Sequence, residues 1–115
     1  RMKELGVNTH TSGLCASSCT MLYAAGVRRS AGSGAQFMFH AVNVKLASGL
    51  SKAQKAEFKP KIDAYIHEFS NKWLETIRGA DSYLAWELEK DRILLKGKDR
   101  FYSARTLRRT GYVNQ

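Results

Sequence analysis

Proline occurs once in these 115 residues and cysteine twice. Two cysteines are too few for a disulfide framework, which a small secreted fold would build from more. No apolar run approaches the roughly 18 residues of a membrane-spanning helix. No basic start followed by an apolar stretch of about 7–15 residues marks a leader. Repeats and low-complexity segments are also missing. With 43% hydrophobic and 25% charged residues the composition is that of an ordinary globular chain. Collagen-like, mucin-like, coiled-coil and wholly disordered classes are thereby excluded. The length suits one domain, expected to span residues 1–115.

Acidic residues are scarce, with ten Asp and Glu against nineteen Lys and Arg, a net charge of +9. Such an excess raises the question of nucleic-acid binding. The charge is divided, however: residues 1–50 carry +4, residues 51–89 carry −1 and residues 90–115 carry +6. No segment interleaves aromatics with arginine as a single-strand stacking platform would. A solvated basic surface is the expectation, and nucleic acid is not the expected partner. Cys15 and Cys19 lie four apart, which on a helix would place both sulfurs on one face. A local bridge is open to them, strained if the segment is fully helical, and the redox compartment stays open.

Residues 1–5 read as the tail of a helix stopped by Gly6, so the chain is expected to open inside an element. Val7 to Thr11 reads as a strand, and Ser12-Gly13 as a turn. A short helix is expected from about Ser17 to Ala25, closed by Gly26. Arg28 to Gly34 reads as a loop and Ala35 to Val42 as a second strand. Strand, helix and strand in this order imply a βαβ unit with parallel strands, hence an α/β fold. After a loop at 43–52, Phe58, Ile62, Tyr65, Ile66, Phe69, Trp73 and Ile77 recur at steps of three and four. They predict an amphipathic helix over 61–78, with Pro60 in its first turn or kinking a longer helix from Ser51. Gly79 should stop it and Asp81 should cap a helix over 82–90. Ser103 and Gly111 bracket a last helix. The aromatic stripe is core and carries no chemistry.

Chemistry concentrates in Gly13-Leu14-Cys15-Ala16-Ser17-Ser18-Cys19. A serine at a helix start ordinarily caps backbone N–H groups. It can instead be a nucleophile, because a tetrahedral oxyanion formed there meets backbone N–H groups. Such a serine needs a base, and His40 lies near the end of the second strand, whose tip lies beside the first in a βαβ unit. A third group must orient the ring. Asp99 in GKDRFYSA is the candidate and Asp91 in EKDRI the competitor, while Asp63 and Asp81 fit helix-surface and capping roles. A different chemistry is a zinc site drawn from His10, Cys15, Cys19 and His40.

With those residues in place, the chain resembles the Clp-type serine peptidases of the ClpP/crotonase fold. GLCASSCTMLYAAG followed by FMFHAV is similar to that family's glycine, Ala-Ser helix start, Ala-Ala-Gly and apolar strand ending in His. Asp99-Arg100-Phe101-Tyr102-Ser103-Ala104 is similar to its Asp-Arg-x-hydrophobic-Ser-Ala segment, and Gly111-Tyr112-Val113 to its Gly-Leu-Val ending. The resemblance implies Ser17 as nucleophile, His40 as base, Asp99 as orienting acid and the Ser18 backbone N–H as an oxyanion donor. It implies a fold of repeated βαβ units, of which this chain would supply the C-terminal two-thirds. The earlier units, which bring a second oxyanion donor, have no counterpart here. The loop before the His strand is shorter than the family's, Ser18 replaces a frequent Met, and Cys19 replaces a frequent Gly. The Cys-Ala-Ser-x-Cys version is similar to Clp-like bacterial proteins, some of them periplasmic.

A serine-type peptidase acting on peptide or protein through an acyl-enzyme on Ser17 is therefore expected. It would work without metal or cofactor and assemble as a homo-oligomer, with an ATPase partner left open. A catalytically weak or inactive assembly protein of the same fold is the alternative, and a zinc-binding structural domain is the other.

Overall fold

The computed structural model describes residues 6–42, 48–95 and 98–115. In chain order the described elements are β1 (Thr9–Thr11), β2 (Leu14–Ala16), α1 (Ser18–Ala24), β3 (Arg29–Ala31) and β4 (Gln36–Phe39). They continue with α2 (Lys52–Ala80), α3 (Ser82–Lys90), β5 (Arg100–Ser103) and α4 (Ala104–Thr110). The architecture is mixed α/β. The helix tail expected at residues 1–5 and residues 43–47 of the 43–52 loop lie outside the described residues.

β1 pairs in parallel with β3, Thr9 opposite Arg29, and β2 pairs in parallel with β4, Leu14 opposite Gln36. Only Ser12 and Gly13 separate β1 from β2, whereas four residues separate β3 from β4. The ladder therefore slips by two residues and divides into a two-stranded sheet and a three-stranded sheet of order β2-β4-β5. β5 runs antiparallel to β4, with Phe39 opposite Arg100. The two strands expected to form the parallel βαβ unit, residues 7–11 and 35–42, are not partners: β1 pairs with β3, and the unit that spans α1 is β2–α1–β4. α1 approaches β1 so closely at its exit that a Cβ on Gly26 would collide with the Thr9 side chain.

Three strands, β2, β3 and β5, escaped the sequence reading. β3 lies inside the basic segment taken for a loop, because the Arg29 side chain is buried rather than solvated. Its guanidinium donates to the carbonyls of Tyr112 (2.7 Å), Gly26 (2.9 Å), Gly111 (3.0 Å) and Ala80 (3.2 Å). Each of these carbonyls lies just past a helix or in its last turn, where acceptors lack intrahelical donors. β5 is only four residues long and alternates, Tyr102 turning in against Phe39 and Phe101 turning out.

α2 begins earlier than 61. The Ser51 hydroxyl accepts from the Gln54 N–H at 3.1 Å while Gln54 Oε1 accepts from the Ser51 N–H at 2.9 Å, a reciprocal cap. The helix then runs through Pro60 and past Gly79 to Ala80. Asp81 ends it and caps α3, its Oδ1 accepting from the Leu84 N–H at 3.0 Å. Ser103 caps α4 through the Thr106 N–H at 3.1 Å, and Gly111 closes it at φ 99°, as the sequence suggested.

The core gathers where the three-stranded sheet meets α1, α2, α3 and α4. Phe37, Phe39, Trp73, Ile77, Leu84, Leu88, Leu107, Tyr112 and Val113 are all fully buried there. Tyr112 sits at its centre, with its ring 5.4 Å from those of Tyr23 and Phe37. The apolar stripe of α2 enters this core only from Phe69 onward; Phe58 and Tyr65 are exposed.

Candidate active site

Because β2 and β4 are parallel, both strands end on the same side of the sheet, where crevices form in open α/β sheets. Ser17 follows the last residue of β2 and His40 follows the last residue of β4. Together they line a cleft of about 210 Å³ completed by Val42, Tyr65, Phe69 and Trp73. The two residues singled out as attacker and base therefore share one cavity with apolar and aromatic walls.

Ser17 does not perform the capping role that its position offers. Its side chain makes no cap hydrogen bond, and its backbone stands at φ 56°, ψ −120°. This is a conformation that costs a non-glycine residue roughly 1–3 kcal/mol. The other two serines that begin helices, Ser51 and Ser103, have φ near −71° and −78° and do cap. The turn at Ser17 is held by backbone groups. Its N–H donates to the Met38 carbonyl at 3.2 Å, and its carbonyl accepts from the Thr20 N–H at 2.9 Å and the Thr20 hydroxyl at 2.6 Å. The hydroxyl is left without a hydrogen-bond partner among the described residues.

Thr20 is itself fully buried and fixed from two further sides. Trp73 Nε1 donates to its hydroxyl at 2.9 Å, and the Tyr112 hydroxyl donates to its carbonyl. Burial raises the Tyr112 pKa, keeping that hydroxyl protonated as a donor. The same Trp73 lies edge-on to His40, with ring centroids 6.1 Å apart. One indole thus braces the serine turn through Thr20 and the imidazole directly. Periodicity placed Trp73 in the core, and nothing in the sequence signalled its bond to Thr20.

His40 Nδ1 lies 2.8 Å from the Ala41 carbonyl oxygen. A carbonyl can only accept, so Nδ1 carries the proton and Nε2 keeps its lone pair. That is the tautomer required of a general base toward a serine. No hydrogen bond joins the Ser17 hydroxyl to the ring among the described residues.

Asp99 is exposed, and among the described residues no hydrogen bond or ion pair involves its carboxylate. The β4–β5 ladder pairs Phe39 with Arg100 at its end; continued one step, the same register sets Asp99 opposite His40. Its competitor, Asp91, is engaged elsewhere, 2.8 Å from Arg100 Nη1 and 4.0 Å from Lys90 Nζ. Arg100 also reaches Glu87 at 3.4 Å. Asp81 spends both oxygens on helix ends, one on the Leu84 N–H and the other on the Thr110 hydroxyl. Ser18 is the first residue of α1, where N–H groups lack intrahelical acceptors.

Cys15 and Cys19 are joined in a disulfide with Cα atoms 5.3 Å apart. The bridge starts in β2 and ends in α1, so it encloses the Ser17 turn rather than one face of a helix. Both sulfurs are consumed by it, which removes the thiolates from the His10, Cys15, Cys19 and His40 zinc set. No group of three or more His, Cys, Asp or Glu is gathered for a metal ion among the described residues. The one Ser–His hydrogen bond among them was not anticipated. It joins His10 Nδ1 to Ser30 Oγ at 2.8 Å on the exposed flank of β1 and β3, where the two residues are register partners. A larger cleft, of about 410 Å³, opens between α2 and α3 among Ser70, Leu74, Leu88 and Leu94. It holds neither Ser17 nor His40.

Set against known proteins, the chain matches no family model and no curated protein.

Proposed function

We propose that the chain is a serine-type hydrolase of the Clp-peptidase kind, acting on peptide or protein substrates through an acyl-enzyme on Ser17. The observation that carries this reading is the Ser17 turn: a helix-start serine held off its capping geometry, hydroxyl unbonded, in the cleft that His40 lines. In the proposed reaction His40 Nε2 removes the hydroxyl proton as Ser17 Oγ attacks the substrate carbonyl. The Ser18 N–H donates to the developing oxyanion. The imidazolium returns the proton to the leaving amine, and water then releases the acyl group.

The orienting role is divided. The Ala41 carbonyl fixes the His40 tautomer but brings no negative charge to the imidazolium. Asp99 is the carboxylate that the strand register favours for that purpose. The ClpP/crotonase fold is part of the same proposal, supported by the parallel β2–α1–β4 unit and by the motif order in the sequence.

One observation favours a second reading, a catalytically weak or inactive assembly protein: the Asp99 carboxylate makes no hydrogen bond or ion pair with His40 among the described residues. A fluorophosphonate probe separates the two. The hydrolase reading expects covalent labelling of the full chain that vanishes in Ser17→Ala and falls by about a hundredfold or more in His40→Ala. Complete absence of labelling favours the assembly protein.

A further inference from the structure

The serines that immediately precede the described helices α1, α2 and α4 form an internal comparison. Ser51 and Ser103 adopt extended backbone and cap; Ser17 does neither, and only Ser17 is enclosed by the Cys15–Cys19 bridge. The two ends of the bridge differ in access. Cys15 is fully buried, whereas Cys19 is exposed and borders an open groove of about 320 Å³ that also touches His10, Thr11, Ser18 and Leu22. An attacking thiol can therefore reach one sulfur and not the other.

We propose that this bridge is a site of thiol–disulfide exchange that sets the Ser17 turn, so that oxidised protein presents a free serine hydroxyl and reduced protein does not. The consequence for reactivity rests on Ser17 being the nucleophile; the change in backbone conformation does not. The exchange is with a dithiol. One of its thiolates attacks Cys19 Sγ, the sulfur–sulfur bond breaks, and Cys15 leaves with the electron pair and takes a proton. The second thiol of the dithiol then attacks the mixed disulfide. Cys19 is released as a thiol, and the dithiol closes into its own disulfide. Two electrons and two protons have moved to the bridge.

Untied from α1, β2 no longer constrains residues 16–18. Ser17 can relax to extended backbone, as Ser51 and Ser103 do, and its hydroxyl can accept from the first free N–H groups of α1. A capped hydroxyl is occupied and turned from the cleft of His40. The bridged form is the state that an oxidising compartment keeps.

The test compares the full chain before and after native treatment with dithiothreitol, with free thiols then blocked by iodoacetamide. Both cysteines should become alkylated only after reduction. Hydrogen exchange at the Ser17 amide, now bonded to the Met38 carbonyl, and at Thr20 should quicken about tenfold, while that of Phe37 and Leu107 stays fixed. Fluorophosphonate labelling should slow about tenfold, and the Cys15→Ser, Cys19→Ser double variant should match the reduced wild type. A bridge that resists the dithiol until the chain is denatured overturns the proposal, as does unchanged exchange at Ser17 and Thr20. If exchange changes while neither form is ever labelled, the exchange site stands and the hydrolase reading falls.

Discussion

At residue 17 two demands compete. A capping serine would stabilise α1, and a nucleophile must leave its hydroxyl free. The observed φ of 56° resolves the conflict against stability. Ser17→Gly should therefore be more stable than Ser17→Ala by about 1–3 kcal/mol in denaturant unfolding, because glycine adopts positive φ without a Cβ penalty. Equal stabilities would mean that the turn carries no strain. Thr20 offers a companion test. Thr20→Val removes the hydroxyl donor to the Ser17 carbonyl and orphans Trp73 Nε1 in the core, costing about 1–3 kcal/mol, while Thr20→Ser retains both side-chain bonds and costs less. Sequence alone singled out Ser17 as a helix-start serine and His40 as a residue near the end of a legible strand, whereas β2, which precedes Ser17, was not read. Thr20 was invisible because its partners, Trp73 and Tyr112, lie 53 and 92 residues away.

Among the elements, α2 was legible in its periodic part, and its start after Ser51 makes it the longer of the two helices that the sequence left open. Apolar spacing marks the part that enters the core, whereas residues 52–61 are all exposed and add only Phe58 to the stripe. That half begins with the Ser51–Gln54 cap and tolerates Pro60 in its interior, where a proline costs about 3 kcal/mol in a regular helix. Pro60→Ala should stabilise α2, slowing hydrogen exchange through residues 52–65 more than through 70–80, where packing already dominates. Identical protection in both halves would show that the exposed half is held by something other than its own backbone. β3 was missed for the opposite reason. Arg-Arg-Ser-Ala-Gly-Ser-Gly has loop composition, and only the tertiary fold supplies the four carbonyls that Arg29 satisfies.

For the molecule as a whole, three tyrosines connect stability to pH. Burial pushes Tyr23 and Tyr102 up to about 12, and Tyr112 is raised as well. An unfolded tyrosine ionises near pH 10. Above that value the unfolded chain loses protons that the folded chain retains, so stability falls as pH rises through the folded values near 12. Tyrosinate absorbance from Tyr23, Tyr102 and Tyr112 should appear together with loss of tertiary structure, not before it. Independent early ionisation of the core tyrosines would contradict the packing around Tyr112.

The hydrolase reading of the cleft where β2 and β4 end depends on Ser17 being acylated. The most direct measurement is the pre-steady-state release of a chromophore from an activated ester by the oxidised full chain. A burst of about one leaving group per chain is predicted, with the acyl mass located on Ser17 and no burst from Ser17→Ala. A linear time course without a burst and without an adduct, or an undiminished burst from the alanine variant, would contradict the account.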